Sequence, residues 1–277
     1  MSTSRNGAFE LSGRGLFGGR HCRVTLRARA GEILLRGAPL RGFRVARTLR
    51  TNTLENGPIR VSCVEHLFAA LAAVGLHQGL SIEMDDDEMP LLDGGARAWC
   101  EGLASLDVEP SPPALAVLRN EEVTVPTGDG SGRSETTTYR FFSAPSTATC
   151  VRVEVDFGDA RLARSAEWGG SFEEFSERIA PARTFVFARD IEDLLARGLG
   201  AHVSPSSVVV IADDAVHAAG RAFSPDEPAR HKLLDLIGDL YFYGGPPLGT
   251  IEAARPGHAA THRAMRIALA SKIVGPT

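Results

Sequence analysis

The residues with the clearest chemical potential lie in one stretch near the C-terminal end of the chain. His231, Asp235 and Asp239 follow one another at intervals of four, so in a helix all three project from one face. Leucine and isoleucine fill most intervening positions, which predicts a largely buried helix. A carboxylate and an imidazole buried together need compensation. A divalent metal supplies it, and the alternative is a His–Asp hydrogen bond that braces a core helix.

A second pair of reactive side chains opens an earlier predicted helix. Glu65 and His66 are adjacent, about 100° apart around a helix axis, so one can bind a metal while the other leans over its open position. Two histidines and Asp235 would then hold zinc, with water at the fourth position, and Glu65 would be the base, as in His-Glu-x-x-His proteases. The alternative is that Glu65 and His66 only cap a helix.

His258 follows Pro256-Gly257 at a predicted strand-to-helix turn, where a histidine can present a mobile acid to a cleft. His262 lies four residues further on, so these two histidines could instead form a ligand pair of their own. The remaining histidines occupy polar or loop stretches and are predicted to be solvated; they are His21, His77, His202 and His217.

Composition limits the classes of protein to consider. The 277 residues are 43% hydrophobic and 23% charged, with a formal net charge of −4, which is typical of a globular protein and argues against a general nucleic-acid binder. We expect neither a signal peptide nor a membrane span. The four cysteines form no Cys-x-x-Cys motif and indicate free thiols in a reducing cytosol, so we expect a cytoplasmic protein.

The apolar pattern predicts the elements that must position these residues. In the first half we expect a hairpin at 22–36 around Gly31, a helix at 62–75 capped by Ser62, a strand at 80–84, a helix from the 93–95 turn to about 106, and a linker at 109–113. In the second half we expect strands near 115–125, 137–143, 150–157, 208–212 and 248–253, and helices near 171–180, 188–197, 226–240 and 259–271. Strands precede helices in each half, which predicts two α+β layers rather than a doubly wound parallel sheet.

Six segments in a fixed order carry a family resemblance. They are Val64-Glu-His-Leu-Phe-Ala-Ala-Leu71, Pro90-Leu-Leu-Asp-Gly94, Ala182-Arg-Thr-Phe185 with Arg189-Asp-Ile191, Arg197-Gly-Leu-Gly200, Arg230-His-Lys232 with Asp235 and Gly238-Asp-Leu240, and Gly257-His-Ala259. Together they resemble the UDP-3-O-acyl-N-acetylglucosamine deacetylases, the zinc amidases of lipid A biosynthesis. The resemblance runs from Gly13 to about Leu269.

The resemblance implies an α+β fold of two similar domains, each a β-sheet layered on helices, with the active site between them. The domains would span 1–110 and 114–277. A βαβ insert at about 184–214 would form an apolar passage for an acyl chain. The apolar side chains it would use are Phe185, Phe187, Ile191, Leu194, Leu195 and Leu199.

The resemblance also implies residue roles. One Zn²⁺ per chain would be held by His66, His231 and Asp235. Glu65 would be the general base, His258 the cationic acid for the leaving amine, Asp239 its orienting carboxylate, and Thr184 the hydroxyl that polarises the amide carbonyl. Lys232, Phe185 and Asp190 would line the substrate site. The expected reaction is hydrolysis of the acetamide of UDP-3-O-acyl-N-acetylglucosamine by a monomer that binds no nucleic acid and contacts membranes only transiently.

Several positions depart from the family pattern. Phe17 stands where the family's first glycine motif usually has histidine, and Gly95 stands where serine is usual. The stretch before the His231 helix carries Pro225 and Pro228 and is about one residue longer, and 201–207 lacks the usual glycine-rich pattern. These departures keep two alternatives open: a divergent paralogue that deacylates another N-acyl sugar, and a zinc-holding protein that binds a nucleotide sugar or lipid without turnover.

Overall fold

The first half of the chain folds as a six-stranded sheet on two helices. The computed structural model describes residues 3–5, 7–48, 51–127, 136–144 and 148–277. The sheet has the order β1-β2-β3-β9-β4-β5. Its strands are β1 (Thr3–Arg5), β2 (Ala8–Arg14), β3 (His21–Ala28), β4 (Leu34–Leu35), β5 (Ala38–Pro39) and β9 (Leu80–Met84). The helices are α1 (Glu65–Val74) and α2 (Arg97–Leu103), and a smaller sheet joins β6 (Arg44–Arg47), β7 (Thr53–Asn56) and β8 (Ile59–Ser62).

Two local predictions in this half are wrong. Residues 22–36 do not form a hairpin, because β9 lies between β3 and β4, antiparallel to the first and parallel to the second. Strand β4 has only two residues, whereas β9 pairs with β3 over five. Ser62 does not cap α1, since it ends β8 and pairs there with Thr53; Val64 precedes the helix and makes no side-chain capping bond.

The second half repeats the arrangement with a five-stranded sheet of order β11-β12-β18-β13-β14. Its strands are β11 (Glu121–Pro126), β12 (Thr136–Phe142), β13 (Thr149–Glu154), β14 (Ser165–Trp168) and β18 (Gly249–Ala254), and a separate pair joins β10 (Leu115–Val117) to β19 (Val274–Pro276). The helices are α3 (Phe172–Glu174), which continues as a π-helix over Phe175–Ile179, α5 (Glu227–Tyr241) and α6 (His258–Ala270). The predicted strand at 115–125 is therefore two short strands.

A βαβ unit is inserted into this half of the chain between the π-helix and α5. It consists of β15 (Thr184–Phe187), α4 (Ala188–Ala196) and β16 (Val208–Ile211), and β15 and β16 pair in parallel. Strand β17 (Val216–Ala218) extends the small sheet antiparallel to β16. A second, small apolar cluster joins Val209 and Ile211 of this unit to Leu162, which precedes β14.

Helices α1 and α5 pack against each other in the interior. Buried residues cover nearly all of both helices, whereas strands such as β3 and β12 alternate buried and exposed residues, as expected of sheets with one covered face. The α+β prediction is confirmed. Strand pairings within the described ranges all join strands on the same side of residues 110–113. The domain bounds themselves stay a prediction. Of the helices that the structure describes, none is long and apolar enough to cross a membrane.

Candidate active site

The α1–α5 contact brings the predicted metal ligands into one cluster. His66 is the second residue of α1, and His231 and Asp235 lie one turn apart on α5. Asp235 Oδ1 lies 3.9 Å from His66 Nε2 and 3.6 Å from His231 Nε2. Donor atoms around a tetrahedral zinc with bonds of about 2.0–2.1 Å are about 3.3 Å apart. Small side-chain shifts would therefore close the three residues around such an ion.

A glycine explains how closely the two helices approach. A Cβ built on Gly238 of α5 would lie 2.1 Å from the carbonyl oxygen of Glu65, so any larger residue would push α1 away. Glycine inside a helix costs about 1 kcal/mol relative to alanine. At this position the cost is offset by a contact that sets Glu65 and His66 against the polar face of α5.

Both histidines of the cluster have the form that binds metals. His231 Nδ1 donates to the carbonyl of Ala182 at 3.0 Å, which leaves Nε2 facing Asp235 and is the usual outer support of a ligating imidazole. Burial, followed by the nearby His231, lowers the pKa of His66 to about 3. Burial also lowers the pKa of His231. Neutral imidazoles with free Nε2 atoms are therefore available near pH 7.

The third residue of the cluster is an anion. Lys232 Nζ donates to Asp235 Oδ2 at 2.7 Å, so Oδ1 is left to the histidines. Burial raises the pKa of Asp235, but Lys232 and the histidines outweigh it and hold that pKa well below its usual range. One carboxylate and two neutral imidazoles fit a divalent zinc-type ion. Across the described ranges, no other three His, Cys, Asp or Glu side chains come together in this way.

Glu65 lies beside the cluster and is poised to exchange a proton. It is buried, and its Oε1 accepts a hydrogen bond from the Thr51 hydroxyl at 2.9 Å. Burial raises the pKa of Glu65 to about 7, with His258 opposing and Asp235 adding to the shift. A carboxyl group that titrates near neutral pH is suited to general base catalysis.

A buried His–Asp pair lies nearby. His258 Nδ1 is 2.9 and 3.0 Å from the two carboxylate oxygens of Asp239. Burial lowers the pKa of His258, but the charge and hydrogen bond of Asp239 outweigh it and raise the pKa to about 9. His258 is therefore a cation at neutral pH with its Nε2–H available as a proton donor. Asn52 Nδ2 also donates to Asp239 Oδ1.

The alternative ligand pair, His258 with His262, finds no support. His262 is 1% exposed, and its Nε2 lies 2.9 Å from Asn52 Oδ1 while its Nδ1 lies 3.1 Å from the Tyr243 hydroxyl. Both ring nitrogens are thus engaged by neighbouring side chains.

The prediction of solvation is wrong for His77, which stacks on Tyr241 with ring centroids 5.1 Å apart.

The βαβ unit supplies the remaining predicted site residues. Thr184 begins β15, and its N–H donates to the Gly94 carbonyl at 2.7 Å, which ties the unit to the first half of the chain. The ring of Phe185 meets that of His231 edge-on with centroids 6.1 Å apart. Asp190 lies in the first turn of α4. Phe185 is thus placed against the cluster itself.

A buried ion pair anchors this unit to α5. Arg183 Nε and Nη2 donate to the two carboxylate oxygens of Glu227 at 2.8 and 3.1 Å, and the side chains are 1% and 3% exposed. Further N–H groups of Arg183 donate to the carbonyls of Ala219 and Arg221. The pair therefore fixes Ala182 and Thr184, which flank Arg183, relative to the cluster.

A cavity of about 410 Å³ opens beside the site. Thr51, which bonds Glu65, is one of its walls, and Phe17 is another. The Phe17 backbone is held by Glu88 at 2.7 Å. The other walls are Arg47, Thr53, Ser62, Asp87, Glu88, Asp193, Leu194, Arg197 and Leu199. The cavity thus joins the first half of the chain to helix α4 and the turn after it.

Two positions that depart from the family pattern lie at close contacts. His202 Nε2 lies 2.7 Å from the Gly15 carbonyl oxygen, so the 201–207 segment reaches the first glycine motif and His202 is not simply solvated. A Cβ on Gly95 would lie 2.3 Å from the Ala180 carbonyl oxygen. A serine at 95 would therefore require the backbone near Ala180 to move.

Sequence reasoning missed Thr51, Asn52 and the role of Arg183. Thr51 and Asn52 precede β7 in a stretch without a motif, and they meet the site only through the tertiary fold. Arg183 stood inside the Ala182–Phe185 segment, but nothing in the sequence indicated that its partner would be Glu227.

The side chains of the site are those that metal-dependent hydrolysis requires. A two-His, one-Asp donor set, a carboxylate that titrates near pH 7 and a protonated His–Asp pair meet where two layered α+β halves touch. This is the residue set of a metal-dependent hydrolase. The chain belongs to the LpxC family, UDP-3-O-acyl N-acetylglycosamine deacetylase, whose pattern it matches over residues 3–270.

Several curated relatives are similar over most of their length. The UDP-3-O-acyl-N-acetylglucosamine deacetylase of Myxococcus xanthus (strain DK1622) is 31% identical over 275 residues, which cover 92% of this chain and 82% of the relative. The Shewanella woodyi (strain ATCC 51908 / MS32) protein of the same name is 34% identical over 81% of this chain and 72% of its own. The Thermosynechococcus vestitus (strain NIES-2133 / IAM M-273 / BP-1) protein, also so named, is 34% identical over 91% and 88%.

Proposed function

We propose that this chain is a zinc-dependent amidase that hydrolyses the acetamide of UDP-3-O-acyl-N-acetylglucosamine, a step of lipid A biosynthesis. Family membership and the names of the relatives support the reaction. The observation that carries the proposal is that a group able to accept a proton and a group able to donate one both lie beside the His66–His231–Asp235 cluster. Glu65, whose pKa is about 7, is the base, and His258, whose pKa is about 9, is the acid.

His66, His231 and Asp235 would hold one Zn²⁺ per chain. When bound, zinc supplies Lewis-acid polarisation of the oxygen atoms that react. Glu65 removes a proton from the attacking water, and the Thr51 hydroxyl orients its carboxylate. Attack forms a C–O bond at the amide carbon, and Thr184 hydrogen-bonds the carbonyl oxygen as charge develops on it.

His258 completes the reaction as the acid. Its Nε2–H donates a proton to the amide nitrogen as the C–N bond breaks, so acetate and a free amine leave. Asp239 accepts a hydrogen bond from Nδ1, which orients the ring and keeps it protonated until that moment. The acid and the base thus begin the cycle in the states that the chemistry needs.

Three further residues would bind the substrate. We assign Lys232, Phe185 and Asp190 to it, with Lys232 already beside Asp235 and Phe185 against His231. The acyl chain would follow the βαβ insert at about 184–214, where α4 leaves Leu195 48% exposed. We also propose that the chain divides into two domains, residues 1–110 and 114–277. A cytoplasmic location, a monomeric state and transient membrane contact stay predictions.

A second candidate function is deacylation of another N-acyl sugar. The specific observation that favours it is the contact of His202 with Gly15 beside Phe17, since all three lie in segments that depart from the family pattern. Of these residues Phe17 lines the cavity, and none of them is a metal ligand. The distinction between the two candidates therefore lies in substrate identity.

The test is a deacetylation assay with purified protein of measured metal content. UDP-3-O-acyl-N-acetylglucosamine and a panel of other N-acyl sugars are incubated with the parent and with Glu65→Gln, and released carboxylic acid is quantified. We expect acetate from the UDP substrate with the parent and almost none with the variant. Turnover of another sugar in its place would favour the second candidate, and zinc binding without any turnover would show a non-catalytic binding protein.

A further inference from the structure

We propose that Asn52 is a positioning residue that holds the Asp239 carboxylate in the orientation from which it aims His258 at the leaving nitrogen. The inference rests on the proposed function, because it assigns His258 the role of proton donor. Asn52 belongs to the first half of the chain, whereas Asp239 and His258 belong to the second. It therefore joins the acid to the half that carries Glu65.

The contacts of Asn52 place it at the centre of a buried polar network. Asn52 is only 2% exposed, and its side-chain Nδ2 donates to Asp239 Oδ1. The same nitrogen lies 3.4 Å from His258 Nδ1. On the other side, Asn52 Oδ1 lies 2.9 Å from His262 Nε2. A buried amide with both ends engaged is held in one orientation.

The Asp239 carboxylate determines how the protons are arranged. Because a carboxylate only accepts, Asn52 must direct Nδ2 toward it, which turns Oδ1 to His262 and requires a proton on His262 Nε2. His262 Nδ1 then faces the Tyr243 hydroxyl at 3.1 Å. Tyr243 and His262 thus support the amide from behind, and the amide supplies Asp239 with a donor in addition to His258.

The same short segment also contacts the base. The Asn52 backbone N–H lies 3.5 Å from Glu65 Oε2, and the neighbouring Thr51 hydroxyl bonds Glu65 Oε1. Residues 51–52 thus reach both carboxylates of the acid–base machinery, Glu65 and Asp239. A shift of this segment would change the distance between the group that takes a proton and the group that returns one.

The central variant is Asn52→Leu, which keeps the approximate volume and removes both hydrogen-bonding ends. We expect kcat to fall about 10- to 100-fold, the scale of a misplaced catalytic group. KM should stay within about twofold and the zinc content unchanged, because neither Lys232, Phe185 nor the three ligands bond the Asn52 side chain. Asn120→Leu is the matched control, since Asn120 is exposed and bonds only Ser143 among the described contacts.

A second pair of variants tests the support behind Asn52. His262→Gln keeps an N–H donor for Asn52 Oδ1, whereas His262→Phe removes it at similar ring size. We expect His262→Phe to lower kcat and His262→Gln to recover most of the loss. This pair decides the question if Asn52→Leu does not fold, which circular dichroism and thermal unfolding would show. Equal kcat in the two His262 variants and the parent would overturn the inference.

A spectroscopic measurement separates this inference from the proposed function. The Nδ1–H proton of His258, hydrogen-bonded to Asp239, is observed by NMR in the holoenzyme and assigned by its absence in His258→Gln. We expect its resonance to move or broaden in Asn52→Leu and to stay in place in Asn120→Leu. An unchanged resonance with unchanged kcat would refute the positioning role. If the parent protein has no deacetylase activity but the resonance still moves in Asn52→Leu, the proposed function is refuted, and Asn52 is shown only to orient the Asp239–His258 pair.

Discussion

One face of helix α5 carries two buried polar clusters that look alike in sequence and differ in chemistry. Glu227 in the first turn meets Arg183, and this pair is fully hydrogen-bonded. The guanidinium donates to both carboxylate oxygens and to two backbone carbonyls, and Arg221 also donates to Glu227. One turn later, His231 and Asp235 meet His66, and their Nε2 and Oδ1 atoms face one another at 3.6–3.9 Å without a hydrogen bond.

Burial of charged side chains alone therefore does not identify a functional site. Buried charges persist when they are paired and fully bonded, as Glu227 is. Donor atoms that converge and remain unsatisfied require a further partner, and neutral imidazoles with a carboxylate indicate a metal ion. The same spacing of four residues therefore gives a structural anchor at one turn and a candidate metal centre at the next.

The largest expected effect is the loss of activity when the base beside the His66–His231–Asp235 cluster is removed. Glu65→Gln keeps the shape and the hydrogen bond to Thr51 but cannot take a proton, so kcat should fall about 10²- to 10⁴-fold, the usual contribution of a general base. Zinc content should not change, because the ligands are intact. Steady-state kinetics with metal analysis on the same preparation would check both. Retained activity would remove Glu65 from the mechanism.

A change at the Arg183–Glu227 ion pair should lower the free energy of unfolding instead. Arg183→Met leaves the buried Glu227 with only the partly exposed Arg221 as a cationic partner. We expect a loss of stability that approaches the roughly 3–5 kcal/mol typical of a broken buried ion pair. Urea unfolding measures the loss, and Arg152→Met, which breaks an exposed ion pair with Glu167, is the control that should change stability little. If Arg183→Met unfolds like the parent, the anchor assigned to this pair is wrong.

The pH profile separates the base from the acid. Glu65 acts in its deprotonated form, so kcat/KM should rise as the pH increases through the pKa of Glu65, which is about 7. His258 acts protonated, so the rate should fall as the pH increases through about 9. The two groups titrate as a coupled set, so the apparent values belong to the site. His258→Gln should lose the descending limb, and its persistence would assign that limb to another group.

The smallest effect is expected at the cavity wall. Phe17→His restores a polar ring beside Thr51 and leaves the metal ligands untouched. It should raise kcat/KM on UDP-3-O-acyl-N-acetylglucosamine by recovering part of about 1–3 kcal/mol, the range for a lost contact to a buried polar partner. Zinc content should stay constant. A slower variant would indicate that Phe17 is adapted to another substrate.

The sequence predicted what depends on spacing and on local pattern. The helix of His231, Asp235 and Asp239 could be found because four-residue intervals place side chains on one face. Contacts between distant segments could not: Asn52 reaches Asp239 across 187 positions, and His202 reaches Gly15 across the same interval. The false hairpin at 22–36 has the same cause, since the partner of β3 comes from residues 80–84.

The proposed mechanism depends on a metal ion bound where α1 meets α5. The test is the zinc content per chain, measured by mass spectrometry on purified parent, His231→Ala and His217→Ala. His217 is the control because it is an exposed histidine on β17 and is not one of the three clustered residues. We expect about one zinc in the parent and in His217→Ala, and little in folded His231→Ala. Full zinc content in His231→Ala would contradict it.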